Sequence, residues 1–271
     1  MHSRWAPICW NMHSRKVNKL AKSEIQEILD QAVEQFNHPS FIENDPISIP
    51  HLFRQHRDIE IAGFLVAMIS WGNRKAIINR ALDWMEVMGN EPFRFVMEAS
   101  PMEWKELSKL IYRTLNSEDI LEVGRCLKRA YGEVDSLEKW FQEGFERGGS
   151  KEGISHFREK FFEASELQRT QKHVGNPMQN SAAKRVNMFL RWMVRKDSKG
   201  VDFGIWDNIP MSKLSIPLDV HSGNIARELK LLSRKADDWK AVEELDSVLR
   251  SLNSADPVVY DFALFGMGVN R

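Results

Sequence analysis

Apolar residues recur every three or four positions along most of this chain, which is the spacing of one face of an α-helix. The segment Ser23–Phe36 shows this spacing and opens on a serine suited to a helix N-cap. The segment Ile59–Trp71 is apolar nearly all round, which predicts a helix buried on most sides. The same spacing predicts further helices over Lys75–Met88, Pro92–Ala99, Met102–Arg113, Ser117–Tyr131, Ser136–Arg147, His156–Leu167, Ser181–Arg195, Asp219 to about Leu232, Trp239–Leu252 and Val258–Met267.

No stretch shows the sustained apolar–polar alternation of a β-strand, so the pattern predicts an all-α protein of about ten to thirteen helices. Two irregular segments interrupt the helices: a polar connector at Arg169–Asn180 and a longer insert at Lys196–Ser215. The tetrapeptide Met-His-Ser-Arg occurs twice near the start. We therefore interpret residues 1–22 as an N-terminal extension and residues 23–271 as one helical domain.

Composition supports a large packed core and gives no overall sign of the partner. Of the 271 residues, 42% are hydrophobic and nine are tryptophan, while 38 basic residues balance 38 acidic ones. Between Gln171 and Lys235, however, twelve Lys and Arg stand against five Asp and Glu. This local excess suits a phosphate backbone and equally suits an ordinary solvated face.

The two cysteines, Cys9 and Cys126, are too few for a disulfide framework, a four-cysteine zinc site or an iron–sulfur cluster. We expect no cofactor, and this cysteine usage fits a reducing cytoplasm. No apolar run reaches the ~18 residues of a membrane span, so we expect no membrane partner.

Lys184 and Asp219 are the leading candidates for chemistry. Asp219 follows a proline-fixed apolar approach and precedes a helix, so it suits an N-cap, and it equally suits a carboxylate held at one point of a cleft. Lys184 lies early in its helix, where a solvated lysine is the ordinary alternative. Together they supply an amine nucleophile and a rigid carboxylate, the two groups needed to excise a base from DNA.

Other candidates lie near the C-terminus and at the end of an early helix. Asp261 interrupts an apolar segment, where a carboxylate either caps the helix or reads the edge of a base. Phe265 follows one helical turn later, and it and Trp71 are candidate stacking platforms, although such aromatics are usually core residues. His221 suits a base, a phosphate contact or a core residue.

These residues resemble the helix-hairpin-helix superfamily of DNA glycosylases. The resemblance lies in Lys184 within a helix-opening Ala-Ala-Lys-Arg, and in the later Pro-Leu-Asp-Val-His of Pro217–His221 followed by Ala-Arg at Arg227. The closest likeness is to the archaeal 8-oxoguanine DNA glycosylase group. That group also has a long insert between lysine and aspartate, an Ile-Pro-x-Asp approach, and a terminal helix with an aspartate four residues before an aromatic.

The likeness is strongest over Asn180–Gly268, and the helix ending in Ala67–Trp71 also looks like that group's early buried helix. The whole chain looks similar to a little-characterised bacterial family placed near that group. Two features depart from the pattern. The usual Gly-x-Gly hairpin before the lysine is replaced by Gly175–Ser181, and Phe265 stands where the archaeal group has tryptophan.

The resemblance implies two interlocked helical lobes with a cleft between them, acting as a monomer on DNA that contains a damaged base. It implies that Lys184 and Asp219 are catalytic, that Trp71, Asp261 and Phe265 bind the base, and that Arg185, His221 and Arg227 contact DNA. The implied activity is excision of 8-oxoguanine with associated β-lyase cleavage of the strand. The alternatives are a catalytically inactive helical module that binds nucleic acid, and a helical protein–protein scaffold.

Overall fold

The computed structural model describes residues 21–270, and this range folds into twelve α-helices and seven short 3-10 helices without a β-strand. The all-α prediction is therefore confirmed; residues 1–20 of the predicted extension lie outside the described residues. The helices are α1 (Lys22–Phe36), α2 (His56–Ile69), α3 (Arg74–Val87), α4 (Pro92–Glu98), α5 (Pro101–Ser108), α6 (Ser117–Glu133), α7 (Glu138–Phe145), α8 (Ser150–Phe161), α9 (Lys184–Val194), α10 (Val220–Glu228), α11 (Trp239–Leu252) and α12 (Tyr260–Val269).

Four predicted helix boundaries were wrong by about four to six residues. Helix α5 ends at Ser108, before the predicted end at Arg113, and Arg113 itself has a left-handed backbone with φ of 54°. Helix α8 begins at Ser150 and ends at Phe161, so both of its predicted boundaries, His156 and Leu167, were wrong; Gly149 serves as its N-cap, and the Gly149 N–H donates to Glu152 Oε2 at 3.0 Å. Helix α10 ends at Glu228, shortly before the left-handed Lys230 with φ of 60°.

Helix α2 lies at the centre of the core, as its apolar composition predicts. Eleven of its fourteen residues are buried, and it packs along α9. The Phe64 ring meets the edges or faces of Phe157, Phe161 and Phe189 at centroid distances of 5.2–5.7 Å. Gly63 lets α9 approach closely, since a Cβ there would lie 3.2 Å from the Met193 methyl carbon. On the other side of the molecule, α12 packs against both α1 and α10.

A buried glutamate ties the insert to this core. Glu60 of α2 is only 2% exposed and accepts hydrogen bonds from four donors. They are the Tyr131 hydroxyl, the Ser136 hydroxyl at 2.6 Å, the Leu137 N–H at 2.9 Å and the Trp206 indole N–H at 2.6 Å. Burial raises the pKa of Glu60, and the donors oppose the rise. Three segments distant in sequence therefore converge on one carboxyl group.

Two arginines, Arg191 of α9 and Arg195 at the C-cap of α9, are buried in a second polar cluster. Arg191 and Arg195 are 4% and 2% exposed, and both donate to Asp202 of the insert at 3.2 Å. Arg191 also pairs with Asp261 of α12, and Arg195 with Asp256 at 2.8 Å, just before α12. Because each charge has an opposite partner, the cluster offsets most of its desolvation cost and fixes α9 relative to α12.

Replacing Asp202 by alanine should destabilise the protein by about 3–5 kcal/mol, because two buried guanidinium groups lose their shared partner. The measurement is the free energy of unfolding in urea. Asp207→Ala is the matched control on the same insert: Asp207 pairs with Lys196 but is 72% exposed, so the loss should stay below about 1 kcal/mol. Equal small losses in both variants would contradict the role assigned to Asp202.

Candidate active site

A cavity of about 510 Å³ lies where the end of α2, the start of α3 and the starts of α9 and α10 meet α12. Its volume is in the range of small-molecule sites. Seven of the eight site residues predicted from the sequence line this cavity, and the eighth, Arg227, lies outside the lining. The seven are Trp71, Lys184, Arg185, Asp219, His221, Asp261 and Phe265.

Lys184 is the first residue of α9, and a tight turn brings it there. Ala183, the N-cap residue, is left-handed with φ of 47°, and Asn180 is left-handed with φ of 64°. Gly175 packs so closely against this turn that a Cβ on it would lie 2.8 Å from the Ala183 Cα. The segment before Lys184 is therefore a tight turn with two left-handed residues, and it contains no Gly-x-Gly sequence. Only a glycine fits at position 175 without movement of the turn.

The Lys184 amine lies 3.8 Å from Oδ2 of Asp219. Its other near contact is the Met188 sulfur, 3.7 Å away on the next turn of α9. Both charged side chains are partly buried, with 26% of Lys184 and 22% of Asp219 exposed. Lys184 and Asp219 are the two catalytic candidates predicted from the sequence. The whole insert separates them along the chain, yet they face each other in one cavity.

The two oxygens of Asp219 have different tasks. Oδ1 accepts the N–H groups of His221 at 2.9 Å and Ser222 at 3.0 Å, which makes Asp219 the N-cap of α10. The backbone N–H of Asp219 donates in return to the Ser222 hydroxyl at 3.0 Å. Oδ2 faces Lys184. The cap fixes the orientation of the carboxylate, so capping and presentation of a charge to the cavity occur in one residue.

A second aspartate, Asp246 of α11, supports the approach to Asp219 from behind. Its Oδ1 accepts the Ile216 N–H at 2.9 Å, where the Ile-Pro-Leu-Asp segment begins. Burial raises the pKa of Asp246 to about 6, although Arg250 and the Ser215 hydroxyl oppose the rise. The sequence does not reveal this contact, because Asp246 belongs to an ordinary amphipathic helix and lies thirty residues from Ile216.

The two candidate stacking residues each carry an arginine near the ring. Trp71 follows α2 and is 40% exposed, with the Arg113 guanidinium 3.8 Å from its ring centroid. Phe265 lies on α12, and the Arg74 guanidinium is 5.2 Å from its centroid. Such contacts place positive charge beside both rings.

Asp261 and Asp45 are buried carboxyl groups in the lining. Asp261 pairs with Arg191, and burial together with the nearby charge of Asp219 raises the pKa of Asp261 to about 6. Asp45, which is 7% exposed, precedes the 3-10 helix Pro46–Ser48 and caps it by accepting the Ile47 N–H at 3.1 Å. Asp45 was not among the residues predicted from the sequence, because an aspartate before a proline is typical of an ordinary turn.

The three residues predicted to contact DNA have different surroundings. The Arg185 guanidinium is largely buried and donates to the Met68 carbonyl near the end of α2. Burial lowers the pKa of Arg185. His221 is exposed and meets the Phe265 ring edge-on at 6.2 Å. Arg227 donates to the Arg234 carbonyl at 2.8 Å and pairs with Asp237 at 2.6 Å, so it fastens the loop after α10.

Much of the positive charge between Gln171 and Lys235 is engaged inside the protein. Arg191 and Arg195 belong to the buried cluster, and Arg185 is bonded to a backbone carbonyl. Further residues of this stretch form surface pairs with carboxylates: Lys196 with Asp207, Lys199 with Glu34, Arg227 with Asp237 and Arg234 with Asp238. The local excess of basic residues is therefore largely a set of ion pairs, and only part of it is bare positive surface.

Residues 21–270 contain neither a metal-binding cluster nor a membrane-spanning helix. Among residues 21–270, no group of three or more His, Cys, Asp or Glu side chains is placed to hold a metal ion. Within the same range, none of the helices has the length and apolar character needed to cross a membrane.

Comparison with known proteins assigns the chain to a family. Residues 45–270 match the model of a family described as "Protein of unknown function (DUF2400)", and because the match spans most of the chain, this protein belongs to that family. No curated protein and no solved structure matches the chain.

The raised pKa of Asp246 predicts a pH-dependent stability that Asp246→Asn removes. The asparagine keeps an oxygen for the Ile216 N–H but cannot ionise. Between the ordinary aspartate pKa of 3.8 and about 6, the folded protein binds a proton at Asp246 more tightly than the unfolded chain does. Wild-type stability therefore falls as the pH rises through this window, by up to about 3 kcal/mol.

The variant lacks this contribution. The unfolding free energy of Asp246→Asn minus that of the wild type should therefore increase by up to about 3 kcal/mol between pH 4 and pH 7. Urea denaturation at several pH values measures this difference. A difference that stays constant over the range would contradict the raised pKa.

Proposed function

We propose that this protein is a DNA glycosylase with associated β-lyase activity that excises an oxidised purine, 8-oxoguanine, from DNA. The observation that carries the proposal is the approach of the Lys184 amine to 3.8 Å from the Asp219 carboxylate in a cavity of nucleoside size. The likeness to helix-hairpin-helix glycosylases supports the same pair, because there too a lysine and a helix-capping aspartate are the reacting groups.

In the proposed reaction the damaged nucleotide leaves the base stack and enters the cavity. The neutral Lys184 amine attacks the anomeric carbon of the sugar, and the bond from that carbon to the base breaks. The base leaves with the bonding electrons and takes up the proton that the amine nitrogen releases. Asp219 orients the amine and stabilises the positive charge that develops on the sugar. Opening of the sugar ring gives a Schiff base with Lys184, and loss of the neighbouring C2′ proton then expels the 3′ phosphate and nicks the strand.

The position of Asp219 suits this task because its carboxylate needs no reorganisation. The N–H groups of His221 and Ser222 hold one oxygen, so the other keeps its place beside Lys184. A charge fixed in advance stabilises a developing charge better than one that must first turn toward it.

The remaining lining supports binding of a flat, polar ligand. Trp71 and Phe265 offer aromatic faces for a base, and Asp261 offers a buried acceptor for its N–H groups. His221, Arg185 and Arg227 are the proposed DNA contacts. Arg185 and Arg227 already donate hydrogen bonds to protein carbonyl groups. In the proposed function they would therefore act mainly by holding the protein backbone beside the cavity in position.

Lys184→Gln should abolish formation of a covalent protein–DNA adduct. Borohydride reduces the proposed Schiff base, so the wild type should be trapped on a duplex containing 8-oxoguanine, and the glutamine variant cannot form the imine. The measurement is the yield of crosslinked product on a denaturing gel. Lys235→Gln, which changes an exposed lysine outside the cavity, is the control and should trap like the wild type.

Undiminished trapping by Lys184→Gln would remove the lysine from the mechanism. Binding of lesion duplexes by the wild type without any trapping or cleavage across a panel of lesions would favour an inactive nucleic-acid-binding module. Absence of salt-sensitive DNA binding would favour a protein–protein scaffold.

Asp219→Asn should lose turnover by about 100-fold or more while still binding lesion DNA, because the variant keeps the cap and loses the charge. Asparagine caps helices about as well as aspartate, so the unfolding free energy should change by less than about 1 kcal/mol. Single-turnover excision and urea denaturation measure the two effects separately. Full excision by this variant would exclude an electrostatic role for Asp219.

A further inference from the structure

Asp45 is a buried carboxyl group in the cavity lining that the proposed mechanism does not use. It is 7% exposed, and one of its oxygens, Oδ1, accepts the Ile47 N–H. The other oxygen, Oδ2, has no hydrogen-bonding partner in the described part of the chain. An aspartate that only capped a three-residue 3-10 helix would be at least as stable facing water, since burial of a carboxylate is costly.

The charges around Asp45 are those of the proposed active site. Burial raises the pKa of Asp45, and the positive charges of Arg191, Arg74 and Lys184 oppose the rise. Arg191 also interacts with Asp261, so the guanidinium lies within electrostatic reach of both carboxyl groups. Asp45 therefore lines the same cavity as Asp261 and lies within electrostatic reach of the proposed nucleophile, Lys184.

Asp261 shows a similar division of its oxygens. Its Oδ2 pairs with Arg191, and Oδ1 has no partner among residues 21–270. The cavity thus contains two buried carboxyl groups, each with one oxygen held by the protein and one uncommitted. Two such acceptors favour a ligand with at least two N–H donors, because an acceptor that a ligand covers without pairing disfavours binding.

Guanine and its 8-oxo form differ in this respect. Guanine has N–H donors on its Watson–Crick edge, but its N7 is an acceptor. Oxidation at C8 converts N7 to an N–H donor, so 8-oxoguanine has donors on both edges. A carboxylate that faces N7 accepts a hydrogen bond from the oxidised base and meets a lone pair on the normal base.

We propose that Asp45 accepts a hydrogen bond from the flipped base and, together with Asp261, makes the cavity select a purine with N–H donors on two edges. This inference rests on the proposed glycosylase function and deepens it by naming a residue that determines specificity. Discrimination against normal guanine comes from the repulsion between its N7 lone pair and an acceptor.

The test compares Asp45→Asn with the wild type on four duplexes. Asparagine keeps an oxygen for the Ile47 N–H, so the cap remains. The duplexes contain 8-oxoguanine, its 7-deaza analogue without the N7 donor, 8-oxohypoxanthine without the exocyclic amine, and an abasic site. Single-turnover excision is measured on the first three and borohydride trapping on the abasic site. Asp58→Asn is the matched control, because Asp58 also accepts a backbone N–H, that of Phe93, and lies outside the cavity.

We expect Asp45→Asn to lose at least about tenfold in excision of 8-oxoguanine and to trap on the abasic duplex within about threefold of the wild type. The wild type should lose activity on both base analogues. Asp45→Asn should become insensitive to one of the two deletions, and that deletion identifies the group that Asp45 reads. Asp58→Asn should behave like the wild type throughout.

The inference would be overturned if Asp45→Asn, like the wild type, lost activity on both base analogues, or if it excised 8-oxoguanine at the wild-type rate. Either result would leave the glycosylase proposal intact. A parallel loss on the abasic duplex would also overturn it, because a residue that reads the base has no base to read there. Absence of abasic-site trapping by the wild type would instead refute the proposed function.

Discussion

Two arginines, one in the last turn of α9 and one at its C-cap, share a single buried aspartate, and the geometry of the cavity depends on that contact. Arg191 and Arg195 both donate to Asp202, and each extends to a further carboxylate in or just before α12. Helix α9 begins with Lys184, and α12 carries the aromatic and carboxyl groups of the cavity wall. The cluster therefore sets the distance between the amine and that wall. Loss of one partner from such a buried cluster is costly because it leaves an unpaired buried charge.

The cavity is lined by charges of both signs. Four cationic residues, Arg74, Lys184, Arg185 and Arg191, are opposed by Asp45, Asp219 and Asp261. Each aspartate has at least one oxygen fixed by a backbone N–H or a guanidinium, so the acceptors are oriented before a ligand arrives. Preorganised charges are the main means by which active sites stabilise a transition state, so this arrangement is consistent with the proposed catalytic role.

Local features were predictable from the sequence, and long-range contacts were not. Helix α11 was predicted to its terminal residues, because Trp239–Leu252 has a regular apolar face. The cap at Asp219 was predicted as one of two open readings, since capping depends only on neighbouring residues. The likeness to a known superfamily paired Lys184 with Asp219, and the structure brings them together.

The contacts that sequence reasoning missed involve charged residues in unexpected surroundings. Arg191 and Arg195 are buried although arginine usually marks a solvated helix face, because their partners come from the insert and from α12. Asp45 and Asp246 look like a turn residue and a surface residue, and only the packing of distant elements gives them a role. The burial of the Asp45 carboxylate could be predicted only with knowledge of which elements cover the turn at Asp45-Pro46.

The insert between lysine and aspartate has consequences for how this family can vary. Trp206 donates to Glu60 of the central helix, Asp202 holds both arginines, and the Val201 carbonyl contacts the His51 ring at 2.8 Å. Because Val201, Asp202 and Trp206 are each held by a contact with the core, residues cannot be inserted between them without breaking one of these contacts. Gly200, left-handed and with open space around it, lies at the exposed tip. Length changes in relatives should therefore concentrate at this tip, and the path from lysine to aspartate should otherwise keep its length.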